Sequence, residues 1–138
     1  MRVRFAFLCD SVEQSLGGKI SALGIGFKNF TITNLQMPLM PFCLVVNLEI
    51  NRSEIGQKYI EVYLMDADGI SIIPPLKREI EMQVPPNSGG RVFDHNFIFN
   101  FAGLKFPKYA DYSFSVTLNG TEICNLPICI VKPPNNGY

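Results

Sequence analysis

The stretch from Lys108 to Val131, KYADYSFSVTLNGTEICNLPICIV, constrains the fold most, because two alternating apolar runs flank Asn119-Gly120. That dipeptide between such runs is the strongest short-range signal of a β-hairpin. A two-residue turn at Asn119-Gly120 would set Phe114 opposite Asn125 and Tyr112 opposite Pro127, poor partners for a core face. A three-residue loop, Leu118-Asn119-Gly120 with Gly120 left-handed, pairs Phe114 with Cys124 and Tyr112 with Leu126 instead. The expectation is the three-residue loop, with Cys124 indoors as packing and the upstream chain laid against this hairpin.

Upstream, period-2 alternation recurs. Val3, Phe5 and Phe7 alternate with Arg2, Arg4 and Ala6, which predicts a first strand with one wet face. Asp10 to Gly18 is polar and reads as a connection. Lys19 to Gly24 and Phe27 to Thr33 follow as short strands around a bend at Gly24-Ile25-Gly26. Asn34 to Pro41 is a loop. Phe42 to Asn51 is the cleanest central strand, with Phe42, Leu44, Val46, Leu48 and Ile50 on its core face. Tyr59 to Met65 turns Ile60, Val62 and Leu64 inward. Asp66 to Gly69 forms a turn into a strand at Ile70 to Ile73, which Pro74-Pro75 stops. Lys77 to Val84 suits a charged edge strand. After the loop Pro85 to Gly90, the run Arg91 to Phe101 places Phe93, Phe97, Phe99 and Phe101 on one face and Asn96 and Asn100 on the other. Leu104 and Phe106 tuck under as a plug. No helical periodicity spans three turns, so no long helix is expected. The sum is an all-β chain, a single antiparallel immunoglobulin-like β-sandwich of about eight or nine strands. One domain covers residues 1–131, and 132–138 form a mobile tail.

Twelve Lys and Arg balance twelve Asp and Glu, so the chain lacks the basic excess that drives phosphate-backbone binding, and nucleic acid is not an expected partner. The near-zero net charge mildly favours self-association. No apolar run approaches the roughly 18 residues that span a bilayer, and the short run Phe5 to Cys9 is followed by Asp10 and Glu13, unlike a secretory signal. The expected location is the cytoplasm, with no membrane partner and Cys9, Cys43, Cys124 and Cys129 as reduced, buried thiols.

Candidate chemistry is sparse. Asp66-Ala67-Asp68-Gly69 opens like a calcium loop, but the twelfth position is Lys77 rather than a bidentate Glu, and a plain turn is expected. His95, the single histidine, would be the natural general base near neutral pH. Its place on the phenylalanine side of its strand instead predicts a structural ring with apolar neighbours and a satisfied hydrogen bond. Cys124 and Cys129 lack the spacing of a zinc knuckle and a second ligand pair, so no metal is expected. Neither Gly17-Gly18-Lys19 nor Gly24-Ile25-Gly26 completes a phosphate-binding loop. Phe97-Ile98-Phe99-Asn100-Phe101 has no interleaved basic residues and reads as core rather than as an RNA-stacking strand. No cofactor is implied, and no motif identifies a small-molecule ligand.

Ala6-Phe7-Leu8-Cys9-Asp10, Gly18-Lys19-Ile20 with Ala22-Leu23-Gly24-Ile25, Asp66-x-Asp68-Gly69, Phe106-Pro107 and Tyr112-x-Phe114-x-Val116 together resemble an uncharacterised family of small bacterial proteins known only as a domain of unknown function. The resemblance implies a compact cytoplasmic sandwich and brings no catalytic residues. Ala110 departs from it, standing where a Gly would precede Asp111-Tyr112. The functional expectation is a non-catalytic module that binds a protein partner or a second copy of itself. Outward-facing Tyr59 and Tyr63, with Met65, are the candidate interface, since these residue types are enriched at interfaces. The alternative is a structural or accessory component of a larger bacterial or phage-related assembly, such as a defence particle.

Overall fold

The computed structural model describes residues 1–84, 90 and 92–134. Among these the chain forms ten strands: β1 (Arg2–Cys9), β2 (Ser11–Gln14), β3 (Ile20–Leu23), β4 (Asn29–Thr31), β5 (Phe42–Asn51), β6 (Gly56–Asp66), β7 (Leu76–Met82), β8 (Val92–Phe101), β9 (Asp111–Leu118) and β10 (Thr121–Val131). The one helical element among the described residues is a single 3-10 turn at Arg52–Glu54, and no helix is long and apolar enough to cross a membrane. Most of the loop expected at Pro85 to Gly90, the residue Arg91 and the tail beyond Pro134 lie outside the described residues.

The strands make three sheets, in the orders β1-β5-β8, β4-β10-β9-β6-β7 and β2-β3. The two larger sheets share one core. Leu44, Val46, Leu48 and Ile50 of β5 and Phe97, Phe99 and Phe101 of β8 meet Ile60, Val62 and Leu64 of β6, Phe114 and Val116 of β9, and Ile128 and Ile130 of β10 in a single buried cluster. Each fully buried side chain of this kind contributes roughly 1.5–3 kcal/mol, so alternation on facing strands is what holds the layers together. Phe106 seals one end with its ring 4.9 Å from that of Tyr112, the plug expected of it. Tyr112 in turn donates its hydroxyl to the Lys108 carbonyl at 2.8 Å.

Several expectations need correction. Among the described residues the strands number ten, in three sheets, rather than about eight or nine, and β4 joins β10 in parallel, so the arrangement is not wholly antiparallel. Asp10 to Gly18 is not merely a connection, because Ser11–Gln14 pairs with Ile20–Leu23 as a small hairpin. Ile70 to Ile73 is not a strand; it contributes one isolated bridge, Met65 to Ser71, before Pro74 ends any ladder. In β1 a bulge between Val3 and Phe5 breaks the alternation. Val3, Ala6 and Leu8 therefore reach the shared core while Phe5 and Phe7 turn to the opposite face, which is dry rather than wet.

That opposite face is where β2 and β3 matter. They lie over the outer side of the three-stranded sheet, where Val12, Ile20 and Ala22 pack with Cys9, Cys43, Val45, Phe5, Phe7 and Ile98 in a second cluster. Strand β5 is consequently buried on both faces, and its second side, Cys43, Val45 and Asn47, is as dry as its first.

The hairpin that organises the sequence also departs from expectation. Leu118 pairs with Thr121 across the two-residue turn Asn119-Gly120, whose φ angles are +50° and +85°. A bulge between Glu122 and Cys124 then moves the register by one, so that Phe114 faces Leu126 and Tyr112 faces Ile128. The three-residue loop is thus replaced by a tight turn plus a bulge, and Cys124 still packs against the core. At Ala110 no left-handed backbone is required, since Asn119 is the one non-glycine residue with positive φ among the described residues.

Candidate functional site

Among the described residues, neither hydrophobic cluster covers the outer side of the five-stranded sheet at β6. Alternation on β6 turns Tyr59, Glu61, Tyr63 and Met65 to this side, opposite Thr117, Ser115 and Ser113 of β9 for the last three. Ser115 in turn faces Asn125 of β10. None of Tyr59, Tyr63 and Met65 belongs to either hydrophobic cluster. Tyr59 is 48% exposed, and Tyr63 and Met65 are half-buried.

Hydrogen bonds fix the polar part of this face. The Tyr63 hydroxyl donates to Glu61 Oε2, which raises the phenol's pKa. The Ser115 hydroxyl donates to Glu122 Oε1 at 2.6 Å and the Asn125 amide to the same oxygen at 3.1 Å. Both bonds favour the ionised form and hold the Glu122 carboxyl below its usual value. Ser115, although on the outer side, is buried among these partners. The face is a platform of tyrosines, small hydroxyls and amides rather than an apolar patch.

The residues weighed for chemistry are not assembled into a site. Asp66 accepts the Asp68 and Ile70 amides at 2.9 Å each through Oδ1, and Gly69 closes the turn with a φ of +78°, so this carboxylate is committed to the turn. Cys124 packs toward the core from β10, whereas Cys129, five residues on, lies on the other side of the strand opposite Asp111. Among the described residues no three His, Cys, Asp or Glu side chains are grouped to hold a metal ion. Phe97, Phe99 and Phe101 are core residues, unavailable for base stacking.

His95 departs from expectation. It stands on the phenylalanine side of β8 with its ring 4.7 Å from that of Phe97, but it is solvent-exposed and makes no hydrogen bond among the described residues. Desolvation on the Phe97 side lowers its pKa, opposed by the neighbouring Asp94 carboxylate. No cysteine lines either hollow that His95 borders.

Of the four thiols expected to be buried, Cys9 and Cys43 are, whereas Cys124 and Cys129 are half-buried. Cys9 and Cys43 face each other across β1 and β5, and the Cys43 thiol donates to Asn100 Oδ1 at 3.1 Å. Burial, reinforced by Cys43 and then Asp10, pushes the Cys9 thiol up to about 11, and burial does the same to Cys124. A thiol whose pKa rises on folding keeps its proton longer in the folded than in the unfolded chain. Stability is therefore unaffected below the unfolded value of 9.0 and declines as pH climbs from there through about 11. Urea midpoints measured from pH 8 to pH 11 are expected to fall only above pH 9. A Cys9→Ala, Cys124→Ala double variant should flatten that fall.

Sequence reasoning missed a polar network on the outer side of the three-stranded sheet. Phe5, Asn47 and Asn96 form one cross-strand row over β1, β5 and β8. Asn47 Nδ2 donates to Asn96 Oδ1 at 2.6 Å and to Asp94 Oδ2 at 3.0 Å, and Arg4 Nη1 donates to the same Asp94 oxygen at 3.0 Å. Asn96 Nδ2 completes the chain by donating to the Gly18 carbonyl in the β2–β3 turn at 3.0 Å. The available signal is the set of polar residues Asn47, Asp94 and Asn96 within strands whose other mid-strand positions are largely apolar.

A family of unknown function, DUF6941, matches residues 4–131. The chain belongs to DUF6941. The match ends where β10 ends, and it takes in both the β6 face and the Asn47 network of this DUF6941 protein. A search of curated proteins found no match.

Proposed function

We propose that this protein is a non-catalytic interaction module with an immunoglobulin-like β-sandwich, and that it binds a protein partner through the β6 face. The architecture is supported by the sheet orders. An immunoglobulin-type sandwich sets strands A, B and E in one sheet and G, F, C and C′ in the other. Strands β1, β5 and β8 match the first set, and β10, β9, β6 and β7 the second. The bond from the Tyr112 hydroxyl to Lys108, four residues upstream at the start of β9, is that of a tyrosine corner. Strands β2 and β3 are then an insertion after the first strand. A bacterial cytoplasmic setting accords with the family resemblance and with four free thiols.

The observation that carries the proposal is the row Tyr59, Tyr63 and Met65 on a sheet face with no covering layer among the described residues, set among Ser113, Ser115, Thr117 and Asn125. Tyrosines with two side-chain torsions offer large contact area at low entropic cost, and Ser and Asn supply adaptable hydrogen bonds. The test compares what co-elutes from the native host with the wild-type chain and with a Tyr59→Ser, Tyr63→Ser double variant. A partner retained by the first and lost by the second, with both chains giving the same β-sheet circular dichroism, is the expected result. The same partner at undiminished yield on both chains, or none on either, rejects this face as the interface.

A further inference from the structure

We propose that the cleft between the β2–β3 turn and the outer side of the three-stranded sheet is a binding site for a small polyhydroxylated molecule of the saccharide class. The cleft has a volume of about 560 Å³, within the range of roughly 300–1,000 Å³ typical of ligand sites. It lies on the opposite side of the protein from the β6 face, so the two proposals stand or fall separately.

The decisive observation is Asn47. Its residue is 1% exposed and lines the cleft, its Nδ2 hydrogens are taken by Asp94 and Asn96, and its Oδ1 is buried with no partner. The amide cannot turn round to relieve this. A flipped Asn47 would place its oxygen against Asp94, and Asn96 is held in its own orientation by the Gly18 carbonyl. A buried acceptor left unpaired is costly, so this oxygen calls for a donor that none of the described residues supplies.

The remaining wall decides what brings that donor. Asp94 has a second oxygen with no partner among the described residues, while the side chains of Lys19 and Gln14 make no ion pair or hydrogen bond there. Uncommitted acceptors and uncommitted donors thus face one space, which Phe5, its ring under the Arg4 guanidinium at 5.9 Å, also borders. A phosphate would meet the Asp94 carboxylate and the Asn47 oxygen. A diamine would meet Lys19 beside Arg4. Hydroxyl groups both donate and accept, and a compact molecule bearing several of them suits every position.

The experiment is a ¹⁵N NMR titration that follows the side-chain amide signals of Asn47 and Asn96. D-glucose, N-acetyl-D-glucosamine and D-glucuronate are the probes, with inorganic phosphate and putrescine as comparators. The expected result is saturable movement of both signals with at least one of the three sugars in the millimolar range or tighter, and none with phosphate or putrescine. Lys19→Ala, on the exposed turn, should weaken that binding about tenfold without changing the thermal midpoint. Failure of all three sugars, which would leave the Asn47 oxygen to a bound water alone, overturns the proposal. So does movement with phosphate or putrescine, or an unchanged affinity in Lys19→Ala.

Discussion

Inserting one alanine between Asn125 and Leu126 is expected to abolish cooperative unfolding, whereas deleting Ile123 should leave the protein folded. The asymmetry comes from the bulge. Leu118 pairs with Thr121 and Thr117 with Glu122, and beyond Ile123 the ladder resumes with Val116 on Cys124, Phe114 on Leu126 and Tyr112 on Ile128. Removing Ile123 lets the second set of pairs follow directly on the first, with every face unchanged. Its cost is the packing of one partly buried isoleucine. An added residue has no such outlet. It turns Leu126, Ile128 and Ile130 outward, because a one-residue slip exchanges the two faces of a strand. Two of those side chains are fully buried. With roughly 1.5–3 kcal/mol for each buried aliphatic side chain, the loss approaches the whole stability of about 5–15 kcal/mol for a domain. Thermal melts followed by circular dichroism separate the two variants. An insertion variant that melts within a few degrees of the parent would show that β10 absorbs the extra residue elsewhere.

The same hairpin shows what the amino-acid sequence could and could not disclose. Alternation of Tyr112, Phe114 and Val116 with Cys124, Leu126 and Ile128 determines which faces meet, and that was legible. It leaves registers two residues apart indistinguishable, because each keeps all the faces matched. The expected register, with Phe114 on Cys124, and the observed one, with Phe114 on Leu126, differ by that interval. The bulge in β1 was hidden for a related reason: Val3, Phe5 and Phe7 look like one apolar side until Arg4 is displaced from the ladder. Strand β2 escaped notice because Val12 is its single apolar residue and the layer it covers is formed by distant strands. Alternation alone puts Asn47 opposite the core face of β5 and Asn96 opposite the phenylalanine face of β8, yet the polar network depends on Asn47 standing opposite Asn96. That pairing spans 49 residues and leaves no local trace. The candidate interface, by contrast, followed from alternation alone, since Tyr59, Tyr63 and Met65 share a side of β6 wherever that strand is placed.

Replacing Phe114 with alanine is expected to destabilise the protein by about 3–5 kcal/mol, the usual cost of removing a buried ring. Phe114 is 0% exposed and belongs to β9, the strand that β10 and β6 flank on either side. Its ring lies 5.0 Å from that of Phe101 and 6.0 Å from that of Phe42, so this one side chain touches both β8 and β5 across the core. Phe42 and Phe101 also stack on one another at 5.3 Å. The ring is thus one corner of an aromatic triangle, and its loss opens a cavity between sheets rather than at an edge. Collapse to fill that cavity would require β5 to move, and β5 is held from its other face by β2 and β3, whose Val12, Ile20 and Ala22 pack with Cys43 and Val45. Incomplete relaxation places the cost toward the upper end of the range, because the penalty grows with the cavity that remains. Tyr112→Phe is the useful comparison. It keeps the ring against Phe106 and removes only the bond to Lys108, a change of about 1 kcal/mol. Urea denaturation of both variants should therefore give a loss for Phe114→Ala several times that for Tyr112→Phe, with unchanged m values. A loss below about 1.5 kcal/mol for Phe114→Ala would mean that the two sheets close over the gap and that β5 is less firmly held by the third layer than its burial implies.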